Sequence, residues 1–145
     1  MEIATIGFTQ KSAEDFFERL KRAGIKRLVD VRLNNVSQLA GFAKRDDLRY
    51  FLREICGAEY VHEPLLAPTQ EMLDAYRKSG GSWAEYEVAF LALMRERRVE
   101  ETVPRSLFDA PSALLCSEDK PTQCHRRLVV EYLQQHWGTI AVRHL

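Results

Sequence analysis

The stretch IATIGFTQKSAEDFFERLKRAGIKRLVDVR, residues 3–32, decides the fold. Ile3 to Phe8 reads as a short buried strand, with Gly7 near its end permitting a close backbone approach. Ser12 stands where a helix N-cap belongs. Asp15 follows three residues later in the manner of a capping box, with Asp in place of the usual Glu. Phe16, Phe17 and Leu20 form an apolar stripe, and Gly24 fits the C′ position that closes a helix. Ile25 to Val31 contains a second strand that runs out into Asp30 and Arg32. Strand, helix and strand within roughly thirty residues make a βαβ unit, which favours parallel strands and a right-handed crossover.

The same alternation continues outward. Asn34 to Lys44 has weak periodicity and reads as a long loop. Asp46 or Asp47 is placed to cap a helix carrying Leu48, Phe51, Leu52 and Ile55, ended by Gly57. Ala58 to His62 is a strand, Pro64 to Pro68 a loop and Thr69 to Arg77 a helix. Ser79-Gly80-Gly81-Ser82 breaks that helix, and another runs from about Trp83 to Arg98 with Phe90, Leu91 and Met94 on one face. Ala113 to Cys116 is a buried strand, Thr122 to Trp137 a helix stopped by Gly138, and Thr139 to Val142 a last strand. The expected fold class is α/β: a single three-layer domain over residues 1–145, with a mostly parallel sheet of about five strands flanked by helices.

Composition sets bounds on function. The 145 residues suit one domain, 46% hydrophobic residues supply a core, and 29% charged residues supply a wettable surface. Formal net charge is zero, which argues against a protein coated in basic charge for nucleic acid while leaving room for a local patch. Three cysteines are not a disulfide framework, so a reducing, cytoplasmic setting is expected. The first ten residues lack the charged and apolar regions of a signal peptide, and no apolar run reaches the roughly 18 residues of a membrane span.

Residues with chemistry gather where these strands end, the side on which open α/β sheets bind ligands. The densest stretch is LLCSEDKPTQCHRRLVVEYL, residues 114–133, which places Cys116 and Glu118 at a strand end and Cys124, His125 and Arg126 at a helix start. Asp30 and Arg32 end the second strand, and Tyr60 and His62 the third. In a parallel sheet all of these are expected on one rim. Cys116 at such a position can be a thiolate nucleophile or a small buried hydrophobe. It does not fit a short phosphatase-like loop, because the next arginine is Arg126 and the turn between carries two acids, Glu118 and Asp119. On a helix, successive residues diverge by about 100°, so Cys124, His125 and Arg126 are not expected to meet one ligand. His125 and Arg126 sit in the first turn, where the dipole disfavours cations, so an acidic partner (Asp30, Glu118 or Asp119) or a bound anion is expected.

Three further patterns bear on the site. In D-V-R, Asp30 and Arg32 point to the same side, either as a base and an anion-binding fork or as a salt bridge stapling strand to loop. Cys116, Cys124, His125 and the distant His62 are soft ligands, but their spacing matches no common zinc pattern and Cys124 and His125 are adjacent. No metal and no cofactor are therefore expected. Arg45, Arg49 and Arg53 fall at i, i+4 spacing beside Tyr50 and Phe51 and read as a solvated face diluted by Asp46, Asp47 and Glu54.

Taken together, TIGFT, LVDVR, the Ser37 to Phe42 loop, YVHEPLL and LLCSEDKPTQCHR resemble, in order, the pattern of the bacterial and archaeal domain of unknown function 488 family. The closing C-x-E with C-H-R is the most specific part. The resemblance implies one compact domain sharing Asp30, Arg32, Cys116, Glu118, Cys124, His125 and Arg126. It supplies no reaction. The chain departs from the pattern at LNNVS, where members commonly carry Pro, and at Leu66-Ala67-Pro68, where they commonly read Leu-Gly-Gly.

The functional expectation is a small enzyme acting on a phosphorylated or otherwise anionic substrate, a nucleotide or nucleic acid, at the carboxyl-end rim. Asp30, Cys116, Glu118 and His125 are the catalytic candidates, and Arg32, Tyr60, His62 and Arg126 the substrate-binding ones. The alternatives are a non-catalytic module binding the same anions, or a structural polar clasp with function through a protein partner.

Overall fold

A computed structural model describes residues 1–36, 41–118 and 121–145. The first βαβ unit forms as its sequence predicts. Strand β1 (Glu2–Gly7) leads to helix α1 (Ala13–Arg22), and Ser12 caps that helix by accepting the Asp15 N–H at 3.1 Å. Gly24 follows at φ +69°, a left-handed conformation that L side chains rarely adopt. Phe16, Phe17 and Leu20 are buried, and β2 (Arg27–Asp30) comes next.

The remaining order is α2 (Arg45–Phe51), β3 (Glu59–His62), α3 (Gln70–Arg77), α4 (Trp83–Arg97), α5 (Val99–Thr102), β4 (Ser112–Cys116), α6 (His125–Trp137) and β5 (Ala141–His144). All strand pairings are parallel, and the sheet order is β3-β2-β4-β1-β5. No described helix is long and apolar enough to cross a membrane.

Three boundaries differ from expectation. The N-cap of α2 is Lys44 rather than Asp46 or Asp47, and the helix passes into a π-helical turn, Leu52–Cys56, before Gly57. The last strand lies two residues later than its apolar pattern suggests. It is an exposed edge strand placed by register with β1, Glu2 opposite Ala141, while Ile140 just before it enters the core. Helix α6 begins at His125 rather than Thr122, after a 3₁₀ turn at Pro121–Gln123, and Cys124 becomes its N-cap. That shift changes the site.

The period of two along each strand divides the core. Ala4, Ile6, Leu28, Tyr60, Ala113 and Leu115 pack on one face with Phe16, Phe17 and Leu20 of α1 and Leu48 of α2. Ile3, Val29, Val31, Leu114 and Cys116 pack on the other with buried residues of α4, α5 and α6. From β1 the chain leaves through α1 on one face. From β4, its neighbour in the sheet, it leaves through α6 on the opposite face. The carboxyl ends of β1 and β4 therefore flank the switch point of the topology, the position where open α/β sheets bind ligands.

Candidate functional site

At that switch point the crevice is filled by the chain itself. Thr9 donates to the Ser117 carbonyl through its N–H at 3.1 Å and its hydroxyl at 2.8 Å, which ties the two strand ends together. The turn after Cys116 crosses directly over Gly7, where a Cβ would stand 1.6 Å from the Glu118 carbonyl oxygen and 2.5 Å from Arg126 Nη1. Arg126 is fully buried and donates from Nη1 to that same carbonyl at 2.6 Å. Among the described residues, Arg126 thus meets the main chain of Glu118 rather than its carboxylate, and the Glu118 side chain is exposed. Asp119, the other acid considered for this role, and Ser37 of the family-like loop lie outside the described residues.

The polar groups at the strand ends share one rim, as expected, but they do not gather into one site. The sheet is parallel and the rim is shared, but alternation sends the two clusters to opposite faces. On the α1/α2 face, Arg32 grips Asp30 with two parallel bonds, Nε to Oδ1 at 2.9 Å and Nη2 to Oδ2 at 2.8 Å. The Tyr60 hydroxyl donates to Asp30 Oδ2 at 2.5 Å, and Asn35 Nδ2 donates to the Tyr60 oxygen at 3.1 Å. Arg32 Nη2 also reaches the Ala43 carbonyl at 2.9 Å, and its guanidinium lies 5.2 Å from the centre of the Phe8 ring. Asp30 is 0% exposed and Arg32 4%. Burial works against the charge of Arg32, and the Asp30 carboxylate more than offsets it, so the pKa rises. Burial, then Asp30, pushes the Tyr60 phenol up, which keeps it a donor. His62 donates from Nε2 to the Arg32 carbonyl at 2.9 Å. This is a closed polar clasp with its fork already occupied. A bidentate anion would have to displace Asp30.

The other face holds a different cluster. Cys116, at the end of β4, and Cys124 and His125, at the start of α6, bring ligand atoms within 4.8 Å of one another, and all three residues are buried. Adjacent residues converge here because Cys124 is extended (φ −142°, ψ 138°) rather than helical, so the 100° helical divergence never applies to it. Cys116 Sγ lies 3.4 Å from His125 Nδ1, and His125 Nε2 donates to the Val31 carbonyl at 2.7 Å. With Nε2 carrying the proton, Nδ1 of the neutral ring presents its lone pair to the thiols. The two thiols share a proton unequally. Cys116 is pulled down chiefly by the Cys124 thiol, against burial, with help from the Ser117 and Glu118 backbone amides and the charge of Arg126. Cys124 is pushed well up by Cys116 and by burial.

This trio suits a soft metal ion. A tetrahedral zinc with Zn–S of about 2.3 Å and Zn–N of about 2.0–2.1 Å sets its sulfur and nitrogen ligands about 3.5 Å apart. The Cys116–His125 separation of 3.4 Å matches that edge. Metal-bound histidine ordinarily donates its other ring N–H to a carbonyl or carboxylate, as His125 does to Val31. A cavity of about 30 Å³ opens beside the trio and is lined by Tyr76, Trp83, Tyr86 and Gln123 as well as by Cys116, Cys124 and His125. That is room for a water molecule.

Aromatic side chains wall the trio, and of these the sequence reading placed only Phe90 on a shared helix face. Trp83, Tyr86 and Phe90 recur at i, i+3 and i+7 on α4. Trp83 stacks on Tyr86 with centroids 5.1 Å apart, Tyr86 on Phe90 at 6.1 Å, and Phe90 lies 5.4 Å from the His125 ring. Their spacing was legible as a buried stripe, but nothing local said that it leads to His125. Burial first, then Cys116 and Cys124, pushes the Tyr86 phenol up.

No curated protein and no solved structure matches this chain. A family model does, over residues 12–133, a span that includes Asp30, Arg32, Cys116, Cys124, His125 and Arg126. On that match the chain belongs to the family described as domain of unknown function DUF488.

Proposed function

We propose that this chain is a metal-dependent enzyme whose ion is held by Cys116 Sγ, Cys124 Sγ and His125 Nδ1, with a fourth coordination position facing the small cavity. The observation that carries the proposal is the convergence of three buried soft ligands, with His125 oriented from behind by Val31. Three protein ligands and one open position are the arrangement of catalytic rather than structural zinc. Such an ion polarises a substrate oxygen or activates water. Two thiolates neutralise a divalent ion, and Arg126 adds a positive charge that acts on Cys116. A substrate oxygen bearing negative charge is therefore favoured at the centre, and the expectation of an anionic reacting group moves here from Asp30 and Arg32. Glu118, at the cavity edge, is the acid or base within reach of this centre.

The test is metal content and spectroscopy on the full chain. Protein purified without chelator is expected to carry one soft divalent ion per chain, and cobalt loading should give the intense visible bands of a tetrahedral thiolate site. Cys116→Ser, Cys124→Ser and His125→Ala should each abolish both signals. A chain that takes up no ion and shows no cobalt bands defeats the proposal. The second reading is a metal-free Cys116–His125 nucleophile and base. It is favoured by the hydrogen-bond contact of the two side chains and by the Val31 carbonyl orienting the base. Under that reading a small alkylating agent modifies Cys116 equally with and without added zinc.

A further inference from the structure

A larger cleft lies between α3 and α4 and joins the wall of the metal-sized cavity. Its volume is about 460 Å³, within the roughly 300–1,000 Å³ of small-molecule sites. Tyr76 and Tyr86 line both spaces, so the two rings stand between the cleft and the thiols. The cleft walls are apolar, with Met72, Ala89 and Leu93 beside the tyrosines. Its charged lining residues are Glu71, Glu85 and Glu96, and none of the three forms an ion pair within 4.0 Å among the described residues.

Tyr86 is the second observation. It is 6% exposed, and its hydroxyl has no hydrogen-bond partner among the described residues. The hydroxyl oxygen is not sealed from solvent, although the rest of the side chain is, and it opens onto the space that Tyr86 lines. A ligand group in this space would supply the partner. Charge also changes along the path, from one residue of each sign, Arg77 and Glu118, in the inner cavity to carboxylates alone in the outer cleft. The charge of Arg126 acts on Cys116 from behind the inner cavity, while the outer cleft carries the three carboxylates.

We propose that the cleft between α3 and α4 binds a small organic cation, an aryl- or alkylammonium whose charged end meets Glu71, Glu85 and Glu96 and whose polar far end accepts or shares the Tyr86 hydroxyl hydrogen bond. The proposal deepens the metal-centre reading, since it names the class of substrate that reaches that centre: one with an ammonium group at the end remote from the reacting oxygen. The aromatic pair Tyr76–Tyr86, with centroids 5.3 Å apart, supplies π faces to the cation's apolar body.

The experiment is calorimetric titration of the full chain after metal has been stripped with chelator. Tyramine is the probe, with 3-(4-hydroxyphenyl)propionate as its partner of similar size and opposite charge and phenethylamine as its analogue without the hydroxyl. Tyramine should saturate one site and bind at least about tenfold more tightly than the propionate, the selectivity that complementary charge gives. The Glu85→Gln/Glu96→Gln double variant should weaken tyramine by about tenfold and leave the propionate no weaker than before. Tyr86→Phe should weaken tyramine but not phenethylamine. Equal binding of amine and acid, no saturable binding, or tyramine affinity unmoved in both variants overturns the assignment. Because the protein is metal-free, tyramine binding can stand while the metal proposal falls, and the reverse.

Discussion

Gly7 shows how much a single residue sets at the switch point. Its missing side chain is the space that the Glu118 carbonyl occupies, and that carbonyl is where buried Arg126 places a guanidinium proton. Gly7→Ala must push the turn away or break the 2.6 Å bond. Overpacking and loss of a buried charge-assisted hydrogen bond together should cost roughly 3 kcal/mol. Urea unfolding checks this: a midpoint equal to that of the wild type would show that the turn does not lie on Gly7. The effect should extend to the thiols, because the same turn carries the Ser117 and Glu118 amides that stabilise Cys116 as a thiolate. At this scale the sequence was half legible. A glycine at a strand end announces a close approach, and Gly7 was read that way. What approaches it is set by residue 118, more than a hundred positions away, and no local pattern encodes that.

Among the elements, β1, β2 and β4 were legible as largely buried runs, and β3 was readable between Gly57 and Pro64 although only Tyr60 of its four residues is buried, while β5 was misplaced because an edge strand exposed on its outer side carries little pattern. The strand order follows from pairings between distant segments and was not readable. The beginning of α6 shows the same limit at higher stakes. Pro121 was visible, but the 3₁₀ turn that moves the N-cap to Cys124 was not, and with it went one of the two reasons for setting metal aside, the adjacency of Cys124 and His125 on a helix. Strand β5 has its own pH dependence. His144 shares a hydrogen bond with the fully buried Thr5, and it faces Arg126, Arg127 and Glu131 of α6. Burial, then the two arginines, lowers its pKa from 6.5, with Glu131 acting in the opposite sense. A lowered folded-state pKa means that the unfolded chain binds more protons in the window between the two values. The contribution of His144 is therefore fully present above pH 6.5 and is lost as the pH falls through the lowered value. Amide exchange in Val142–Leu145, corrected for intrinsic rates, should quicken below pH 6.5 in the wild type, and His144→Gln should flatten that response. An acid-side response unchanged in the variant would show that another group controls the edge.

For the whole molecule, the division of the rim into two faces separates the work of folding from the work of chemistry. The Asp30–Arg32–Tyr60 clasp joins β2, β3 and the chain near Ala43, and its atoms are paired with one another. The trio on the opposite face is held by packing and by Val31, and its thiols meet each other, the imidazole and, at Cys116, the Ser117 and Glu118 amides. Both faces carry residues that the family-like motifs had gathered into one list, since a linear motif does not record which way a strand residue points. The separation has a measurable consequence. Asp30→Asn leaves a buried guanidinium without its carboxylate and should cost roughly 3–5 kcal/mol, the usual result of breaking one partner of a buried pair. Tyr60→Phe removes one charge-assisted bond and leaves Asn35 facing a ring, for a cost of roughly 1.5–3 kcal/mol. Asp30 and Tyr60 share that bond, so the two losses should sum to more than the double variant shows. Neither single variant, where it remains folded, should alter metal uptake. His125→Ala should do the reverse: it abolishes metal uptake, and its stability loss comes from the ring's packing against Phe90 and its bond to Val31. If Asp30→Asn proves as stable as the wild type yet loses metal or substrate, the clasp belongs to the chemistry and the two-face division is wrong.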